Sequence, residues 1–164
     1  MSITTTTHLN FRGTARQALE FYQSVFGGDV TLATYGDFGM PADAPGADKV
    51  VFGQVENAEG LRLMAYDVPG TTKDHAAEYH AGEDHAGTAG TTTRENGVTV
   101  TDRTFFQSLR ADSLDELIGY WDALADGAVI VEPLAASAWS PGFGMLTDRF
   151  GVTWVLDVRA AYAG

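Results

Sequence analysis

The sequence predicts an α+β protein of two pseudo-repeated βαβββ modules, forming a curved, cupped mixed sheet with the helices outside. Three observations carry that reading. Two amphipathic segments share one apolar stripe at a constant spacing, each follows a short strand-like run, and each ends in a glycine-marked stop before further β-rich runs. Of the 164 residues, 45% are hydrophobic and 11% aromatic, which supplies a sizeable core and excludes global disorder.

Residues Ile3 to Phe11 are rich in threonine and β-branched side chains and meet a turn at Arg12-Gly13, so they read as a strand. Thr14 is placed to cap the helix that follows. Ala15, Ala18, Leu19, Tyr22, Val25 and Phe26 recur at helical spacing, and Gly27-Gly28 stops the run. Asp29 to Tyr35 resumes the strand pattern. Residues 36–48 hold three glycines, two prolines and three aspartates, which predicts a loop with room for a mobile flap. Val50 to Val55 and Leu61 to Val68 form a hairpin pattern around Asn57-Ala58-Glu59-Gly60.

Residues 69–104 interrupt this rhythm with small, polar and acidic side chains, and read as an insertion that is the most mobile part of the chain. The pattern returns with a strand from Phe105 to Ala111, Ser113 as a cap, and a helix from Leu114 to Ala125. Its stripe is Leu114, Leu117, Ile118, Trp121, Leu124 and Ala125, and a turn follows at Asp126-Gly127. Ala128 to Val131, Gly144 to Thr147 and Val152 to Val158 complete the strands, with loops at Leu134 to Phe143 and Asp148 to Gly151. A shift of 99 residues lays the first stripe on the second, Thr14 on Ser113 and Gly28 on Gly127. The organisation is therefore 1–68 as the first half-module, 69–104 as the insertion and 105–164 as the second half-module. Each half alone buries too little surface and needs another half to close against.

Twenty-two acidic residues against ten basic ones give a net charge of -12, which repels phosphate polymers and anionic headgroups, so neither nucleic acid nor membrane is an expected partner. There is no cysteine, hence no disulfide, thiolate nucleophile or cysteine-based metal site. The opening residues lack a basic, apolar secretory pattern, and no apolar run reaches membrane-spanning length, so the expected setting is the cytoplasm.

Two runs carry a family resemblance. One is Leu9-Asn10-Phe11-Arg12-Gly13-Thr14-Ala15-Arg16-Gln17-Ala18-Leu19-Glu20-Phe21-Tyr22 with Val25-Phe26-Gly27-Gly28. The other runs from Trp139-Ser140-Pro141-Gly142 through Asp148-Arg149-Phe150-Gly151-Val152-Thr153-Trp154. Together they resemble the vicinal oxygen chelate superfamily, which includes glyoxalase I, extradiol dioxygenases and bleomycin-resistance proteins, and within it the PhnB-like branch. The resemblance implies a small-molecule ligand, a homodimer and, in metal-dependent members, His and Glu ligands from the first, fourth and last strands. Here those strands offer His8, then Met64 and Tyr66, then Val155 with Thr153 and Asp157 on its face, and Phe106 opens the second half. His8 and Asp157 are the weak metal candidates. They are too few for the three protein ligands a catalytic divalent centre keeps, so no metal and no other cofactor is expected.

The candidate cavity residues are His8, Asn10, Tyr66, Phe106, Ser108, Arg110, Val155 and Asp157. By period-two alternation each points away from helix-facing residues such as Leu9, Leu109, Trp154 and Leu156. His8 is the catalytic candidate, because imidazole exchanges protons near neutrality; its other reading is a hydrogen-bonded cavity residue. Arg110 needs an anion, either a carboxylate such as Asp157 or a bound ligand. His75, His80 and His85 lie among acidic residues in the insertion, but intervals of five rotate successive side chains by about 140°, off any common helical face, so they read as incidental. Gly142-Phe143-Gly144 leads into a strand and does not make a nucleotide-binding turn. The expected role is binding or converting a small organic molecule, with a metal-dependent lyase, isomerase or dioxygenase and a resistance-type sequestering protein as the other readings.

Overall fold

Strands β1 (Thr7–Phe11), β2 (Asp29–Thr34), β3 (Val50–Glu56) and β4 (Arg62–Asp67) join in the order β1-β4-β3-β2, with α1 (Ala15–Phe26) between the first two in sequence. β1 runs parallel to β4, and the other pairs are antiparallel. This is the first of two units in the computed structural model, Met1–Glu83 and Asp84–Gly164; the structure describes residues 3–69 and 91–159. Leu9 and Phe11 of β1, Val55 of β3, and Leu63 and Ala65 of β4 are buried, as are Ala15, Ala18, Leu19, Tyr22 and Phe26 of α1. Leu19 packs directly on Gly53, where an added Cβ would stand 2.4 Å from its Cδ1.

The second unit opens with a hairpin of β5 (Thr93–Glu95) and β6 (Val98–Val100). β7 (Gln107–Ala111), α2 (Leu114–Ala125), β8 (Val129–Ala135), β9 (Phe143–Thr147) and β10 (Thr153–Val158) follow, in the sheet order β7-β10-β9-β8. β7 is parallel to β10, and β10-β9 and β9-β8 are antiparallel, so the connectivity of the first unit is repeated. Trp154, Leu156 and Leu146 are fully buried with Leu117 and Leu124 of α2. Trp121 crosses Gly144 as Leu19 crosses Gly53, with an added Cβ falling 2.6 Å from the indole ring.

Both helices fall where the 99-residue shift places them. Several details depart from the pattern reading. Thr14 makes no side-chain cap; Asp67 of β4 instead accepts the N–H groups of Gly13 and Ala15 with one carboxylate oxygen and that of Val50 with the other. Ser113 does cap, accepting from Glu116 N at 3.2 Å. α2 leaves Leu114 and Ile118 exposed, because it presents leucines where α1 presents Ala15 and Ala18 and cannot seat that whole stripe on the sheet. β8 runs on to Ala135 through Pro133, tolerated on an edge strand with two register shifts. The flap region is a chain of hydrogen-bonded turns whose neck is closed by Tyr35 N to Lys49 O and Gly36 N to Ala47 O. Part of the segment read as an insertion forms the β5-β6 hairpin, while residues 70–90, with His75, His80 and His85, lie outside the described residues. Among the described residues no helix is long and apolar enough to cross a membrane.

Candidate functional site

The helix takes one face of each sheet, and the alternation of strand side chains delivers the candidate residues to the other. In the first unit Leu9 and Phe11 turn to the core while His8 and Asn10 stand exposed on the opposite face. The parallel ladder sets His8 opposite Met64 and Asn10 opposite Tyr66, both half-buried on that face. The His8 and Tyr66 rings meet with centroids 5.1 Å apart and planes tilted by 49°. Gln54 joins them from β3 opposite Met64, and accepts a 3.0 Å hydrogen bond from Arg62. Burial pushes the Tyr35 phenol above its ordinary value, helped by the nearby Asp67 carboxylate; its hydroxyl donates to Asp67 O at 2.8 Å.

In the second unit Ser108 lies opposite Val155 and Arg110 opposite Asp157. Arg110 grips Asp157 through both carboxylate oxygens, Nε to Oδ1 at 2.8 Å and Nη2 to Oδ2 at 2.6 Å. Of the two anions open to Arg110 in the sequence, the structure gives it the internal carboxylate, a bidentate match that planar guanidinium favours. Phe106 lies just before β7, because the ladder with β10 begins at the Trp154–Gln107 pair; alternation therefore does not fix its direction as it fixes Ser108 and Arg110. Each group is assembled within its own sheet.

The sequence reading missed the neighbours that complete these faces. Phe52 and Gln54 share the His8 face, and their signal was the exposed parity of a strand read only as apolar. In the second unit Phe143 and Met145 pair with Asp157 and Val155, and Arg94 of the hairpin reaches Glu132 at 3.3 Å and covers the Phe143 ring at 5.2 Å. No spacing rule connects Arg94 to Glu132.

A model of the Glyoxalase/Bleomycin resistance protein/Dioxygenase superfamily matches residues 7–156. The chain belongs to that superfamily. Among solved structures of the same fold, protein PA1353 from Pseudomonas aeruginosa is 28% identical, with 96% of this chain and 98% of that chain covered at a TM-score of 0.69. A PhnB protein from Bacillus cereus is 20% identical over 96% of this chain and all of its own, with a TM-score of 0.65. A glyoxylase/bleomycin resistance protein/dioxygenase domain from Frankia sp. EAN1pec is 12% identical over 98% and 99% of the two chains, at 0.58. No curated protein matches the chain.

The metal centre of metal-dependent superfamily members does not fit the donors found here. Among the described residues no three His, Asp or Glu side chains are grouped for an ion. His8 has a thioether, Met64, as its strand partner; Ser108, which holds the place of His8 in the second sheet, faces Val155; and the Asp157 carboxylate is engaged by Arg110. A catalytic zinc or iron ion needs imidazole or carboxylate at those places.

Proposed function

We propose that this superfamily member binds or converts a small organic molecule on the helix-free faces of its sheets, without the usual three-ligand metal centre. The observation that carries the reading is the cluster of His8, Asn10, Met64 and Tyr66 on the face of β1 and β4 that the core does not use. An imidazole against a phenol ring, with an amide opposite and a thioether alongside, offers a flat apolar contact and hydrogen-bonding groups together, the mixture a small-molecule site requires. In this proposal His8 moves a proton or donates a hydrogen bond, Asn10 orients a polar group and Tyr66 walls the ligand. In the second unit Ser108, Arg110, Val155 and Asp157, with Phe106 before their strand, offer a candidate contact surface of their own. Homodimer assembly and a cytoplasmic setting belong to the same reading, the former checked by light scattering.

The test is a screen of small carboxylates and phosphonates by thermal shift and calorimetry, with wild type, His8→Ala and Tyr66→Ala. Loss of an aromatic contact or hydrogen bond of this size weakens a hit about tenfold. Hits indifferent to both substitutions overturn the assignment. A stoichiometric divalent ion in untagged purified protein would move the function to a metal-dependent lyase, isomerase or dioxygenase.

A further inference from the structure

The β5-β6 hairpin is held to its sheet through the side chains of Arg94 and Thr99. Its strands have three residues each and turn through Asn96 and Gly97, both at positive φ. A two-stranded ribbon of that length is marginal on its own. Alternation splits it cleanly. Thr93, Glu95, Val98 and Val100 face solvent, whereas the Arg94–Thr99 pair faces the helix-free side of the second sheet.

Arg94 fastens it there. Its side chain is only 14% exposed, with Nε 3.3 Å from Glu132 Oε2, Nη1 donating to Thr99 Oγ1 at 2.7 Å, and the guanidinium 5.2 Å from the Phe143 ring centroid. Thr99 adds a weak 3.9 Å contact to the Met145 sulfur. At the base, the Thr92 and Thr101 hydroxyls bond at 2.9 Å, and Thr101 also accepts from Arg103 N, which fixes the point from which the ribbon would swing. Beneath it lie Phe143 and Met145, the strand partners of Asp157 and Val155.

We infer that the β5-β6 hairpin is a hinged cover over this face, latched by Arg94 on Glu132 and Phe143, and that its opening admits small molecules to the Phe143–Met145 side of the second sheet. The inference about admission rests on the proposed binding role; the latch does not. Elements held by few buried contacts open locally at little cost, while the sheet below keeps its ladder. Arginine suits the latch because its planar group pairs with a carboxylate and lies on an aromatic face at once, which lysine cannot do.

Hydrogen exchange on the full chain tests the latch without any ligand. Arg94→Ala should speed exchange across residues 93–100 about tenfold, the combined worth of a partly exposed ion pair and a cation–π contact, and the near-isosteric Glu132→Gln, which keeps the contact with Phe143, about threefold, while 143–147 and 153–158 keep wild-type rates. The double variant should fall short of the sum, because the two residues form one contact. Anilinonaphthalene sulfonate fluorescence should rise in the same variants as Phe143 and Met145 become accessible. Unchanged exchange in both single variants, or acceleration spread equally through the sheet strands, overturns the latch. Faster hairpin exchange with no gain in dye fluorescence overturns the admission step alone, and failure of the carboxylate and phosphonate screen bears only on the binding role.

Discussion

Asn57 and Asp148 occupy the same place in the two sheets and close the same turn with opposite outer contacts. Asn57 Oδ1 accepts from the N–H of Glu59 and of Leu61, and Asp148 Oδ1 accepts from the N–H of Phe150 and of Val152. Asn57 N bonds Leu61 O and Asp148 N bonds Val152 O, with Gly60 and Gly151 at positive φ in each turn. The second side-chain atom then differs: Asn57 Nδ2 donates to Phe26 O at the end of α1, whereas Asp148 Oδ2 accepts from the buried Trp154 indole at 2.9 Å. One turn thus ties down a helix and the other a core tryptophan, through an amide in one case and a carboxylate in the other.

That difference predicts that exchanging the two residue types harms both turns. In Asp148→Asn the amide N–H would face the indole N–H, and in Asn57→Asp a carboxylate would face the Phe26 carbonyl. Each loses one hydrogen bond and gains a repulsion, about 1 to 3 kcal/mol. Asp148→Ala leaves three donors without their acceptor and should cost more than Asp148→Asn. Urea unfolding checks the order; an Asp148→Asn protein as stable as wild type would refute the indole's dependence on the carboxylate.

The repeat was legible because it is written in side-chain period: stripe, strand parity and glycine stops fixed both modules, and both helices begin and end at the same offset. What stayed hidden were contacts between residues far apart in sequence. Asp67 does the work expected of Thr14 from 52 residues away, at Ala15 N, and the buried Ser140 hydroxyl bonds nearby Gly142 and also Val158, 18 residues on. Such partners are fixed by register and have no local signature. Alternation likewise told which face His8 and Arg110 take and offered Asp157 as one of two anions for Arg110; the β7-β10 register, which sets the two residues opposite each other, decides for Asp157.

Gly53→Ala and Gly144→Ala should each destabilise by about 1 to 3 kcal/mol, the usual cost of overpacking a closed site. At Gly53 the new methyl meets buried Leu19 and also the Ala65 carbonyl at 3.0 Å; at Gly144 it meets the rigid Trp121 ring and Leu134 Cα at 3.1 Å. Gly39→Ala, with nothing within 4 Å but a positive φ, isolates the backbone part, about 1 to 2 kcal/mol. Thermal melts of the three proteins separate packing from conformation.

The helix entries should respond in the reverse of what their residue types suggest. Thr14→Ala removes no side-chain cap and is expected within about 0.5 kcal/mol of wild type. Ser113→Ala removes the acceptor of Glu116 N and should cost about 1 kcal/mol. Asp67→Ala strands the Gly13, Ala15 and Val50 donors and should cost the most of the three, at least about 3 kcal/mol. Denaturant midpoints at neutral pH give the ranking, and a Thr14→Ala loss equal to that of Ser113→Ala would contradict it.

Asp37 gives a pH dependence whose sign follows from its contacts. Its Oδ2 accepts from both the N–H and the hydroxyl of Thr34 at 2.8 Å, and Arg16 adds a weaker attraction, so the carboxyl is held below its ordinary value, chiefly by the backbone hydrogen bond. A depressed folded-state pKa means that the Thr34–Asp37 turn is supported above the unfolded-state value and loosens as the pH falls through the folded one. Carboxyl-carbon NMR should therefore place the Asp37 midpoint below that of an aspartate in the unfolded chain. Thr34→Ala, which keeps the backbone donor, should restore it only in part, and Arg16→Ala should move it less still. Because hydrogen bonds at contact distance are screened little by salt, high ionic strength should shift the midpoint only slightly. A midpoint that returns to the unfolded value in salt, or on losing Arg16 alone, would show that charge and not the turn holds Asp37 ionised.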